Sequence, residues 1–426
     1  MRRNNLWAFL TDGSSPSLLL VSRLTATVLS LGTAPIVARA IGPSGRGETA
    51  AALALFVIVP VLLAVGLPLE VRRRAATSDG QAVMRAARRI VLASTVPAAL
   101  LAWAAYATVF AEFSPQARVV AAVGLLLTPL SAHWALDISL LVAHRRYGSV
   151  FLLQVAQPFV YLACVVTVWA LGLATVGTVL GSHLVGSFAT FALGMSLVRV
   201  SFTGPKDSLR GLTRAGMKFF GGALAEAATN KLDQVVALPL IGAYQTGLYS
   251  VAATIAAAPL ALGHALGAAY FTPIAQAEGK ERAKLQAESL RSGLAAAIAT
   301  IPLVAVASWI GIPIIFGEAF RDSIPVTLVS LVGSAAMLSA YVASMALAAD
   351  AKGIRMTVAQ VVALTIGMVG LLVLGPAWGA IGAATASSIA YVCLLVLLVR
   401  SLGVSPWHIA PRPADFGHFV RRLRKG

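Results

Sequence analysis

Apolar residues in this chain run on without the alternation of a half-buried strand or the one-sided stripe of a surface helix. Stretches long enough to cross a bilayer as helices, ~20 residues each, occupy 17–40, 48–70, 90–110, 119–142, 150–171, 175–198, 216–240, 247–272, 292–316, 324–349, 357–375 and 377–399. The pattern predicts an all-α polytopic membrane protein of about twelve transmembrane helices. A run such as Ala50–Leu67 is apolar on every face, whereas a strand of a membrane barrel would alternate. Helices also satisfy their own backbone groups, as lipid demands.

Polar residues collect between these stretches, and they do so on alternate sides. The two termini and the even-numbered connections hold 27 of the 33 basic residues, at Arg2–Arg3, Arg72 to Arg89, Arg145–Arg146, Arg199 to Lys218, Lys280 to Arg291, Lys352–Arg355 and Arg400 to Lys425. The odd connections hold only Arg39, Arg46, Arg118 and Arg321. The positive-inside rule then places both termini in the cytoplasm of a plasma-membrane protein. The net charge of +17 is thereby mostly topology and calls for no nucleic acid. With 58% hydrophobic and only 12% charged residues, against ~25% charged in a soluble domain, an ordinary soluble protein is excluded. Cys164 and Cys393 both lie in apolar runs, so no disulfide framework is expected.

Both ends invite a second reading. Arg2–Arg3 before an apolar run, with Ala38-Arg39-Ala40 beyond it, resembles a signal peptide, but Arg23 interrupts the apolar core and the segment is expected to stay as the first helix. In the tail, Phe416, Phe419, Val420 and Leu423 have helical spacing among arginines. That fits a short helix on anionic lipid or a disordered basic tail equally well.

The chain also repeats itself. An offset of 200 aligns Ile41-Gly42 through Gly47 with Ile241-Gly242 through Gly247. An offset of 205 aligns Tyr147-Gly148 with Lys352-Gly353, and Val176-Gly177 through Ser182 with Ile381-Gly382 through Ser387. Glycines recur at such places where the chain reverses or helices approach closely. The order of landmarks predicts two six-helix bundles, residues 1–205 and 206–402, followed by a basic tail at 403–426. Transporters built from repeats bind substrate between the halves and alternate access by rocking them.

No odd-numbered connection is long enough to carry the catalytic loop of a membrane glycosyltransferase, polymerase or ligase, so no enzyme activity is expected. Gly42-Pro43-Ser44-Gly45-Arg46-Gly47-Glu48-Thr49 looks like a phosphate-binding loop, yet Glu48 stands where a lysine must meet phosphate.

These landmarks resemble a known family. Val37-Ala38-Arg39-Ala40-Ile41-Gly42-Pro43 with Gly47 resembles the first hairpin of the polysaccharide transporters, including O-antigen flippases, of the multidrug/oligosaccharidyl-lipid/polysaccharide exporter superfamily. Asn230-Lys231-Leu232-Asp233-Gln234 and Gly247-Leu248-Tyr249-Ser250 are similar to their seventh and eighth helices, and Trp378-Gly379-Ala380-Ile381-Gly382 to their last. The resemblance implies a flippase that moves lipid-linked oligosaccharide, on a polyprenyl phosphate or pyrophosphate, to the outer leaflet through a V-shaped cavity between two bundles. The lipid II flippases of the superfamily carry several cations in the first bundle. Here only Arg23 lies well inside it.

Ionisable residues at membrane depth mark candidate chemistry, because each costs roughly 3 kcal/mol or more unless it faces a cavity or a partner. On helix seven Glu226, Asn230 and Asp233 share a face, with Lys231 beside them; helix four holds His133 and Asp137 one turn apart. Arg23 and Lys231 are the candidates for holding phosphate, with Arg39 and Arg46 at the outer mouth. Asp233, Glu226, Asp137, Asn230 and His133 are candidates for coupling to H+ or Na+, or for sugar hydroxyls. The plainer reading is structural: Lys231 and Asp233 neutralising each other, and His183 and His264 packing as hydrogen-bonded core residues. No histidine–carboxylate spacing suggests a metal centre, and no cofactor is expected. Trp134, Tyr161, Trp169 and Tyr249 would either stack on sugars or anchor the interface. Pro129, Pro158, Pro259 and Pro302 fall inside helices and would kink them.

Three functions compete: the flippase, a cation-coupled drug or metabolite antiporter of the same superfamily, and a membrane enzyme of envelope glycan assembly. The expected partners are the lipid-linked glycan, membrane lipids, and a polysaccharide polymerase or glycosyltransferases.

Overall fold

The computed structural model describes residues 17–77, 79–201, 203–350 and 352–404. Arg2–Arg3 and the basic tail lie outside the described residues. Those described form helices and no strand. In chain order these are α1 (Ser17–Ala64), α2 (Leu67–Ala75), α3 (Gly80–Ala93), α4 (Thr95–Ala107), α5 (Pro115–Leu126), α6 (Thr128–Ala143) and α7 (Tyr147–Ala170). There follow α8 (Val176–Leu197), α9 (Leu209–Ala256), α10 (Leu260–Gln276), α11 (Gly279–Gly311), α12 (Ser323–Ala349) and α13 (Gly353–Leu402).

Among the described residues, nine helical stretches are long and apolar enough to cross a membrane. The number differs from the twelve apolar stretches because α1, α9 and α13 each run through an expected junction, across a glycine that leaves the helical conformation. Gly42 has φ 68° and ψ −177°, Gly242 has φ 79° and ψ 166°, and Gly379 has φ 56° and ψ −131°. The first two values lie where essentially only glycine is stable, and they recur at the offset of 200 that the sequence repeat predicts.

Two of these glycines are reversals. Asp233 and Tyr249 would stand about 24 Å apart along a straight helix, yet their side chains are hydrogen-bonded across Gly242. On α13, a Cβ built on Gly382 would lie 2.0 Å from the Leu374 carbonyl oxygen, so the legs before and after Gly379 pack antiparallel at backbone contact.

Other expected helices are interrupted where proline removes a backbone donor. The span at 119–142 breaks between α5 and α6 just before Pro129, where Thr128 Oγ1–H donates to the Leu125 carbonyl at 2.6 Å. Pro259 caps the start of α10, whereas Pro158 and Pro302 sit inside α7 and α11 without ending them.

The chain divides into two compact units between Ala227 and Ala228, inside α9. In unit 1, α1 packs on α7 and α7 on α8, and Leu67, Val71, Met84, Leu136, Leu141 and Leu153 form a buried core. In unit 2, α12 is central, packed against α10, α11 and α13, with Leu266, Tyr270, Leu338, Leu347 and Leu394 buried between them. Trp103, Trp169 and Trp309 sit near helix ends and Trp378 beside the kink at Gly379, all from 48% to 73% exposed. That is the position of an interfacial aromatic belt.

On the basic side of unit 2, Asp350 Oδ1 accepts from Arg282 at 2.7 Å and Asp350 Oδ2 from Lys352 at 2.6 Å, which clamps the start of α11 to the end of α12. The Lys352 hydrogen bond, and then that from Arg282, hold the Asp350 carboxyl below the usual carboxylate range against the opposing effect of burial.

Two measurements check these packing arguments. Gly382→Ala should lower stability by about 2–3 kcal/mol through overpacking, while Gly32→Ala, with nothing within 4 Å of its Cβ, should leave the unfolding temperature unchanged or raised. A depressed folded pKa adds stability that is complete above the ordinary carboxylate value and fades as pH falls through the folded one. The difference in melting temperature between the native chain and Asp350→Asn should therefore shrink as pH is lowered from about 6 to about 3.

Candidate functional site

In unit 2 the polar residues of α9 meet those of α13. Asp233 is buried, with three donors around its carboxylate: the Tyr249 hydroxyl and, at 3.4 Å, the Ser387 hydroxyl on Oδ2, and the Gln234 backbone N–H at 2.8 Å on Oδ1. Tyr249 and Ser387 are themselves 2.8 Å apart. Together with Thr229 and Tyr391, Asp233 and Ser387 line a small cleft floored by Ala363, Gly367 and Met368. Such hydroxyl and amide donors compensate an ionised carboxylate away from water, and the same hydroxyls can accept a proton placed on it.

Lys231 is near enough to act on Asp233 electrostatically. Asn230 Oδ1 accepts from the Tyr341 hydroxyl at 3.4 Å, and the Tyr341 ring stacks on His264 with centroids 3.9 Å apart. Glu226 is exposed and belongs to the part of α9 that packs in unit 1. Glu226, Asn230 and Asp233 thus have three different surroundings, although their spacing puts them near one another on the helix.

In unit 1, Asp137 is fully buried and pairs with a residue the spacing did not suggest. Arg88 on α3 donates from Nη2 to Asp137 Oδ1 at 2.7 Å and to the Val198 carbonyl at 3.1 Å, tying α3, α6 and the end of α8 together. Asp137 Oδ2 has no hydrogen-bond partner among the described residues and lies against the Cα of Gly194, where a Cβ would be 2.6 Å away. The sequence does carry a signal for Arg88: it falls at apolar spacing with Met84, Ala87 and Val91, all buried. His133 turns elsewhere, its Nδ1–H donating to the Pro129 carbonyl at 2.9 Å while Phe191 meets the ring edge-on.

The remaining candidates are spread over α1. Arg23 is exposed although it lies inside an apolar helix, Arg39 is exposed nearer Gly42, and Arg46 is half-buried beside Tyr161. Tyr249 is 2% exposed, so it serves Asp233 rather than the interface, whereas Trp169 is half exposed at its helix end. His183 is half-buried, with Gln157 Nε2 3.0 Å from its Nδ1 and the rings of Phe56 and Tyr161 against it. Ser387 is invisible as a site residue because a serine hydroxyl in an apolar helix ordinarily bonds its own backbone, and Tyr341 and Tyr391 because a tyrosine there reads as packing or as an interface anchor.

A family model described as polysaccharide biosynthesis protein matches residues 15–271. No curated protein sequence matches the chain. Among solved structures, the fold is similar to that of the lipid II flippase MurJ in an inward closed conformation, at 13% identity and a TM-score of 0.69, covering 96% of this chain and 91% of that one. It is also similar to an inward-facing multidrug resistance MATE family transporter of the MOP superfamily, at 13% identity and 0.65, covering 94% and 95%. A third likeness is to the MATE multidrug transporter DinF-BH, at 13% identity and 0.60, covering 92% and 96%. The all-helical fold expected from the sequence is the one these transporters share.

The ion pair of unit 1 gives a direct test. Arg88→Ala alone should destabilise the chain by about 3–5 kcal/mol, because it strands a buried carboxylate, while Arg88→Met with Asp137→Leu should recover most of that loss. Thermal unfolding in detergent measures both.

Proposed function

The chain belongs to the polysaccharide biosynthesis protein family, and on that premise we propose that it is a flippase for lipid-linked oligosaccharide in the bacterial plasma membrane. The observation that carries the reading is Arg23, an exposed cation inside an apolar membrane helix. A guanidinium at that depth is stable only against water or an anion, and the phosphate or pyrophosphate of a polyprenyl carrier is an anion that a membrane transporter would bring there. Lys231 is the candidate cation of unit 2, and Arg39 and Arg46 are those of the opposite side of the membrane.

Asp233 couples the cycle. Its carboxylate takes up H+ or Na+ and exchanges the Tyr249 and Ser387 hydroxyls between donating and accepting roles. Access alternates between the leaflets, both termini are cytoplasmic, and a polymerase or the glycosyltransferases that build the glycan act on either side of the step. The protein performs no covalent chemistry on its cargo.

A likeness to multidrug transporters favours a second reading, a cation-coupled antiporter of drugs or metabolites. Flipping of a fluorescent lipid-linked oligosaccharide in vesicles separates the two. Arg23→Gln with Lys231→Gln should slow flipping at least about tenfold, since each lost charge-assisted hydrogen bond is worth roughly 1.5–3 kcal/mol. Unchanged flipping by the folded double variant would end the phosphate role, and ion-driven dye export without lipid flipping would favour the antiporter.

A further inference from the structure

The first three turns of α9 carry an unusual face. Arg210, Arg214, Met217, Lys218 and Gly221 are exposed at i, i+4, i+7, i+8 and i+11, so they form one face of the helix, while the exposed Leu209 lies off it. The other side is occupied by α2: a Cβ on Gly66 would lie 2.1 Å from the Gly216 carbonyl oxygen, and Arg74 donates to the Gly211 carbonyl at 3.2 Å.

None of the three cations on the exposed face has an ion-pair partner among the described residues, because the acids nearby are taken. Glu70 is held by Arg73 and Arg74 at 2.6 Å each, and Asp207 by Arg74 at 2.6 Å. Glu226, the next acid along the helix, lies about 120° round from the centre of the face.

Three unneutralised cations, spaced about 6 Å apart along the axis, match an anion of two or three charges better than a singly charged one. The helix that bears them runs on into an apolar stretch long enough to cross a membrane. We propose that the Arg210–Arg214–Lys218 face docks the diphosphate of the lipid-linked substrate at the membrane surface and hands it toward the cations deeper in the chain. The proposal rests on the flippase reading for its choice of ligand, a polyprenyl diphosphate rather than a bulk phospholipid.

Binding and transport test it separately. The full chain is placed in nanodiscs of neutral phosphatidylcholine, and its affinity for a polyprenyl diphosphate is measured with the neutral polyprenol as the blank. Replacing Arg210, Arg214 and Lys218 together by glutamine should weaken binding about tenfold or more. Lys280→Gln with Lys284→Gln, which removes exposed cations of α11 on the same basic side, should leave it unchanged.

Native-strength binding by the triple variant overturns the proposal. So does equal weakening by both variants, or mole-for-mole displacement by phosphatidylglycerol, either of which makes the face a general anionic-lipid surface. If the triple variant does not fold, Arg214→Gln and Lys218→Gln singly should each weaken binding about two- to threefold, and native binding by both has the same overturning force. Docking without any translocation in vesicles would remove the flippase reading and leave the docking face standing.

Discussion

A charge held among apolar helices must find a counter-charge, a set of donors, or water, and this chain uses all three. Asp137 is neutralised by Arg88, Asp233 is surrounded by hydroxyl and amide donors, and Arg23 stays exposed. Removing one member of such an arrangement leaves its partner stranded where it cannot be solvated. The places where polar side chains were retained are therefore the places where either the fold or the cargo requires them. The Arg88–Asp137 pair joins three helices of unit 1 at once, which is work for the fold. The Asp233 group borders a cleft, which leaves it room to change its partners.

The duplication is visible in backbone conformation more than in side chains. Gly42 and Gly242 adopt nearly the same φ and ψ, a conformation that a residue bearing a Cβ rarely takes. What the two units do with polar residues then diverges. An arginine answers the carboxylate of α6 in unit 1, while a tyrosine from the returning leg of α9 answers that of unit 2.

The sequence made the fold legible because lipid imposes a simple rule: long apolar runs are helices, and basic connections fall on one side. It also marked Gly42 and Gly242 as corresponding positions, and their backbone angles are alike. Neighbouring apolar stretches run together as one helical segment in three places because the chain turns within a single glycine, as at Gly379. Charged residues could be located but not partnered. Arg88 lies just before the apolar run at 90–110 and reads as a connection residue, and Asp233 and Tyr249 meet only once the chain has doubled back. Hydroxyls such as Ser387 carry too little polarity to stand out from an apolar helix, although one of them completes the environment of the buried carboxylate.

The division of the molecule inside α9, rather than in the loop before it, constrains how such a gene could be split or recombined. A cut ahead of Leu209 would deprive unit 1 of Leu212, Gly216 and Phe220, which pack in it, and of the Gly211 carbonyl to which Arg74 donates. The first fragment would then show raw apolar surface to the cytosol and the second would begin with an unsupported helix. Natural fission or domain exchange in this lineage should avoid the obvious linker, and the two halves should be inherited as one reading frame.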